Sequence, residues 1–71
     1  MKKTDLLVKF GKMIAELRKA RHLSQEQLAF DAGLSRSHVG MIERAEKNVT
    51  LSTVENLAKG LEVDVKELFE F

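Results

Sequence analysis

The sequence predicts an all-α domain, and three observations carry that reading. Apolar residues recur at helical spacing along most of the chain, a Ser, Thr or Asp stands just ahead of each periodic stretch, and the 71 residues contain no proline. The breaks between periodic stretches are only a few residues long, which leaves no room for a sheet.

The first predicted helix runs from about Leu6 to Arg21, with Phe10, Ile14, Leu17 and Arg21 on one face and Thr4 or Asp5 as cap. His22 and Leu23 form its exit. Ser24 opens a second helix, Gln25 to Ala32, in which Gln27 fits a capping box and Gly33 marks the end. Ser35 caps a third, from Arg36 to about Ala45, and Glu46-Lys47-Asn48-Val49 is expected as a loop. Thr50, or Ser52 paired with Glu55, caps a fourth helix through Leu61. Asp64 and Glu67 form a further capping box that opens a short fifth, Val65 to Phe69. The core candidates are Phe10, Ile14, Leu17, Leu23, Leu28, Val39, Ile42, Leu51, Val54, Leu57, Ala58, Leu61 and Leu68.

Composition narrows the function. Residues 1–71 make one domain, and a chain near this length buries only about 60% of the surface its unfolded form exposes, so association with a second copy would help it. With no Cys, neither a disulfide nor a thiolate metal site is available, and His22 and His38 lack a third ligand at suitable spacing. No cofactor or metal is expected. No apolar run approaches the roughly 18 residues of a membrane span, and Lys2 and Lys3 precede only the short run Leu6-Leu7-Val8, too brief for a signal peptide, so a cytoplasmic protein is expected. An enzyme is not expected, because no nucleophile, base and orienting group assemble and no Gly-rich phosphate loop exists. Net charge is +1, but its distribution is uneven: residues 1–50 carry ten Lys/Arg against six Asp/Glu, and residues 51–71 carry two against five. One face is therefore suited to a polyanion, with the acidic end turned elsewhere.

Gln25 to Arg44 carry the decisive pattern. Two helices packed steeply across a tight turn need inward apolar residues, met by Leu28, Ala32, Leu34, Val39 and Ile42. They also need a small residue where the helices cross, met by Ala29, and one that accepts positive φ in the turn, met by Gly33. The second and third helices thus form a helix-turn-helix.

On these residues the chain resembles the phage-repressor (Cro/cI-like, XRE) helix-turn-helix family. The likeness runs from Phe10-Gly11 through Leu23-Ser24-Gln25-Glu26-Gln27-Leu28-Ala29 to Leu68-Phe69. The stretch Ser35-Arg36-Ser37-His38-Val39-Gly40-Met41-Ile42-Glu43-Arg44, with Asn48-Val49-Thr50-Leu51 after it, is similar to the short controller proteins of restriction–modification systems. The resemblance implies a compact five-helix lambda-repressor-like domain that binds double-stranded DNA as a transcription regulator. Ala45 departs from the pattern, since the family usually ends its recognition helix with Gly, and a looser or longer helix exit is expected there.

A recognition helix enters the major groove N-terminus first. Ser35, Arg36, Ser37 and Met41, with His38 beside them, are therefore the expected base-reading residues. Arg36 leads, because its planar fork can bond guanine O6 and N7 together. Gly40 lies mid-helix and is read as allowing close approach to DNA or a neighbouring helix. Phosphate contacts are expected from Gln25, where family members use the side chain and the helix N-terminus, and from Lys47, Asn48 and Thr50. Lys19 and Arg21 would add electrostatic pull. The resemblance further implies a structural ion pair between Arg18 and Glu43.

Val65, Phe69 and Phe71 exceed what so small a core can cover, with Leu7 and Met13 beside them. They are the expected homodimer interface, which predicts a pseudo-palindromic site. The alternative is an antitoxin or protein-binding adaptor built on the same helices. Little chain remains outside the helices to wrap a partner, however, and Arg36 would have no reason to stand at the groove-facing corner.

Overall fold

The computed structural model describes residues 4–71, so Lys2 and Lys3 lie outside the described residues. Among the described residues four α-helices follow one another: α1 (Asp5–Ala20), α2 (Gln25–Ala32), α3 (Arg36–Glu43) and α4 (Leu51–Leu61). The expected fifth α-helix is instead a 3-10 helix, Val65–Phe69, begun by a bond from Glu67 N–H to the Asp64 carbonyl at 3.0 Å. Five residues are too few to repay the nucleation of an α-turn, so the tighter form prevails. The Glu67 half of its capping box is closed, Oε2 accepting from Asp64 N–H at 2.7 Å.

Every α-helix starts on a hydroxyl cap. Thr4, Ser24, Ser35 and Thr50 accept from the N–H groups of Leu7, Gln27, His38 and Thr53 at 3.0 to 3.2 Å. Thr4 rather than Asp5, and Thr50 rather than Ser52, therefore hold the caps.

The helix ends show a regularity that the sequence reading placed only at Gly33. Four residues adopt positive φ just past a helix: His22 (58°), Gly33 (67°), Ala45 (58°) and Glu62 (58°). After α1, α3 and α4 the chain closes a Schellman motif, with Leu23, Glu46 and Val63 donating back to the carbonyls of Arg18, Met41 and Ala58 at 2.8 to 3.0 Å. The exit of α3 is thus neither loose nor extended to Ala45. The helix ends at Glu43, and a buried Ala45 holds the left-handed conformation that Gly would adopt at lower cost.

A single core joins the elements. Ile14, Leu28, Val39, Leu57, Leu61 and Leu68 are fully buried, and Leu17, Leu23, Leu34, Val49 and Val63 pack against them half-covered. Central α2 packs on α3 and α4, α1 crosses α3, and the 3-10 helix closes over α1 and α4. One core candidate is misplaced: Leu51 is 86% exposed, since it begins α4 at an open end of the bundle.

Candidate nucleic-acid interface

The α2–α3 turn is formed by Gly33 at φ 67°, ψ 31°, with Leu34 N–H bonded to the Ala29 carbonyl at 2.8 Å. A Cβ on Gly33 would meet nothing within 4 Å, so the demand for glycine here is purely conformational. Behind the turn, Leu28, Ala29, Ala32, Val39 and Ile42 are buried and Leu34 is half-buried. With Val39 and Ile42 committed inward, the helical period turns Ser37 outward on α3 and leaves Arg36 exposed beside it. Met41 and His38 are half-buried along the flanks of that face. Ser35 is exposed, its Oγ accepting the capping bond from His38 N–H, so its hydroxyl hydrogen remains available to donate.

Two devices seat α3 against α1. The first is Gly11, where a Cβ would fall 2.5 Å from the Ile42 carbonyl oxygen and 2.8 Å from that of Glu43. The two backbones meet directly, a requirement the sequence reading missed because a glycine within a helix gives no sign of what crosses it. The second is the pair of Arg18 and Glu43. Arg18 Nε donates to Glu43 Oε2 at 2.7 Å and Nη2 to Oε1 at 3.1 Å, a bidentate fork, while Nη1 donates to the Leu23 carbonyl at 2.9 Å. The two side chains are 12% and 7% exposed. Hydrogen bonding to Glu43 holds the Arg18 guanidinium above its ordinary pKa, with burial pulling the other way.

Gln25 joins the same cluster, its Nε2 donating to Glu43 Oε1 at 3.0 Å. The side chain expected on phosphate is therefore engaged with the protein. What α2 still offers an anion is the set of unpaired N–H groups in its first turn.

Beyond α3, Lys47 and Asn48 are exposed in the loop, and Thr50 is engaged with Thr53 and Ser52 through its Oγ1. Arg21 is not free to attract DNA. It donates to the Leu61 carbonyl at 2.8 Å and pairs with Glu62, tying the end of α1 to the end of α4. Lys19 remains exposed. Above Gly40 lies the guanidinium of Arg44, a residue to which the sequence reading gave no role.

Val65, Phe69 and Phe71 are 44%, 40% and 52% exposed. Phe69 packs against Phe10 with the rings tilted by 34° and their centroids 5.2 Å apart, and Phe71 against Phe69 at 6.2 Å and 53°, carrying an aromatic row out of the core to the surface. Phe71 also borders a shallow recess lined by Lys9, Lys12, Met13 and Glu16 of α1. Leu6, one turn ahead of Phe10, is 58% exposed, whereas Leu7 is half-buried. A separate exposed aromatic, Phe30 on α2, was not anticipated. Among the described residues no helix is long and apolar enough to cross a membrane, and no cluster of three His, Cys, Asp or Glu residues is placed to hold a metal ion.

Residues 14–68 match the helix-turn-helix family. Control protein C.BamHI of Bacillus amyloliquefaciens is 38% identical over 63 residues, covering 87% of this chain and 78% of that protein. Among solved structures, the restriction-modification controller protein C.AhdI from Aeromonas hydrophila superposes with a TM-score of 0.87 at 52% identity, over 89% of this chain and 96% of that one. C.Esp1396I bound to a 25 base pair operator site superposes with a TM-score of 0.88 at 35% identity, over 96% and 90%. The chain belongs to the helix-turn-helix family and is similar, over most of its length, to the restriction-modification controller proteins.

Proposed function

We propose that this protein is a sequence-specific regulator of transcription that binds double-stranded DNA as a homodimer, of the autoregulating restriction–modification controller type. The observation that carries the reading is the seating of α3: Gly11 and the Arg18–Glu43 fork fix it from behind, while Arg36 and Ser37 stand exposed in front. A similar protein in complex with its operator supports it. Arg36 reads a guanine, Ser35, Ser37, His38 and Met41 meet neighbouring base edges, and Lys47, Asn48, Thr50 and the free backbone N–H groups that begin α2 at Gln25 hold the backbone.

The protomer measures 28 × 24 × 21 Å, less than the 34 to 36 Å or so that separates half-sites one helical turn apart. Two copies are needed to read both, and the Val65, Phe69 and Phe71 surface is the seam that joins them. Such a protein acts where its operator lies, in the cytoplasm, without a cofactor and without enzymatic activity.

The test is selection of bound duplexes from a random pool, followed by a search for the selected site upstream of the protein's own gene. A pseudo-palindrome at that position is expected. If the purified protein prefers no duplex even at low ionic strength, the reading is wrong.

A further inference from the structure

The end of α3 differs from the other helix ends. Past α1, α2 and α4, the residue following the positive-φ position is apolar (Leu23, Leu34, Val63) and folds back onto the core, as a helix stop of this kind ordinarily does. Past α3 that residue is Glu46. Its carboxylate instead meets Arg44, with Nε and Oε1 3.1 Å apart, and the two side chains are 57% and 45% exposed.

Arg44 follows Gly40 by four residues and Ser37 by seven, so it shares the outward face of α3. Side chains at a helix end lean back towards its N-terminus. Here Gly40 leaves the surface bare, and the guanidinium lies across it: Nη1 would be 3.0 Å from a Cβ at that position. An arginine is thus laid flat along the groove-facing stripe, with a carboxylate at its edge.

We propose that Arg44 and Glu46 form a phosphate latch on the recognition face. Arg44 contacts the DNA backbone from its seat on Gly40. Glu46 holds it there in the free protein, and a DNA phosphate must displace the carboxylate to engage the same guanidinium. Both anions present oxygens to one cation, so the exchange is a competition of like chemistry. Because a phosphate contact carries no sequence information, the latch lowers affinity for every duplex and leaves discrimination to the base-reading residues. This inference rests on the DNA-binding reading above.

Fluorescence anisotropy across a salt series tests it, using two labelled probes: a duplex recovered by selection and a mixed-sequence duplex of equal length. Arg44→Ala should weaken both probes alike and reduce the slope of log affinity against log salt by about one. Glu46→Gln should tighten both several-fold, and that gain should vanish in the Arg44→Ala background. Gly40→Ala, checked for an unchanged fold by circular dichroism, should displace the guanidinium and reproduce part of the Arg44→Ala loss. A Glu46→Gln gain that survives without Arg44 overturns the latch in favour of simple charge repulsion. An Arg44→Ala loss confined to the selected duplex overturns it in favour of base reading, and an unchanged salt slope removes Arg44 from the interface. Wild-type protein that binds neither probe would overturn the DNA-binding reading itself, a result distinct from these.

Discussion

Arg18→Met removes a guanidinium but keeps most of its aliphatic stem, and so isolates the ion pair behind the recognition helix. In the variant, Glu43 keeps only the bond from Gln25 Nε2, on a side chain 7% exposed. Breaking a buried pair by deleting one partner costs about 3–5 kcal/mol, and the surviving Gln25 bond favours the lower end, about 3 kcal/mol. At about 0.05–0.15 kcal/mol per residue, a chain of this length has some 4–11 kcal/mol in all, so upwards of a quarter of its stability depends on one fork. Domains of this size lose about 4–8 °C in Tm per kcal/mol, which predicts a fall of roughly 12–24 °C. The assay is urea and thermal unfolding followed by circular dichroism at a fixed protomer concentration, because a dimer's apparent stability depends on concentration. Arg18→Met combined with Glu43→Leu replaces both charges with apolar groups and should return to within about 1 kcal/mol of wild type. Single variants that each cost under about 1 kcal/mol would show the pair to behave as a surface contact, and the account of how α3 is held would fail.

The remaining expectations concern recognition, backbone and assembly. Arg36→Ala should cost about 1–3 kcal/mol of discrimination between selected and mixed-sequence duplexes while sparing weak general binding, whereas Lys47→Ala should weaken both equally and lower the salt slope by about one; competition binding separates the two. Gly33→Ala meets no atom and should cost about 1 kcal/mol of backbone strain alone, but Gly11→Ala drives a methyl into two carbonyls and should cost a few kcal/mol and impair DNA binding; matched melts that rank them the other way would contradict the geometry. Phe71→Asp should shift sedimentation towards monomer with the protomer fold intact, and an unchanged dimer would remove the aromatic row from the seam.

The starts of the helices were legible because hydroxyl caps are local: Ser24, Ser35 and Thr50 satisfy N–H groups only a few residues away. The stops near Arg21 and Leu61 were placed as well, but the backbone conformation that makes three of the stops was not legible. His22, Ala45 and Glu62 take a conformation that sequence assigns to glycine, and what secures it is the bond each following residue makes backwards together with, at two of them, an apolar contact on the core. Burial at the ends of elements was equally hidden, since Leu51 has the right residue type and a helical setting but no neighbour. Among the site residues, Arg36 and Ser37 could be placed from one helix alone. The engagement of Gln25 with Glu43 and of Arg21 with Glu62 needed tertiary proximity across 18 and 41 residues, which no local pattern contains. The Arg18–Glu43 contact also spans a long separation, 25 residues, and family resemblance was what suggested it.

Gly11 has a mechanical consequence for the operator. Where α1 meets the carbonyls of Ile42 and Glu43 without an intervening side chain, the reading helix has no cushion on which to tilt. On the proposed seam, the same α1 borders Phe71 through Met13, so seam and reader would share one helix. One base pair inserted between half-sites would swing one of them about 35° around the duplex axis, and nothing between seam and reader is built to follow it. Under that proposal either the DNA twists or one half-site is released, and the missing methyl group at Gly11 would help set the spacing an operator must keep.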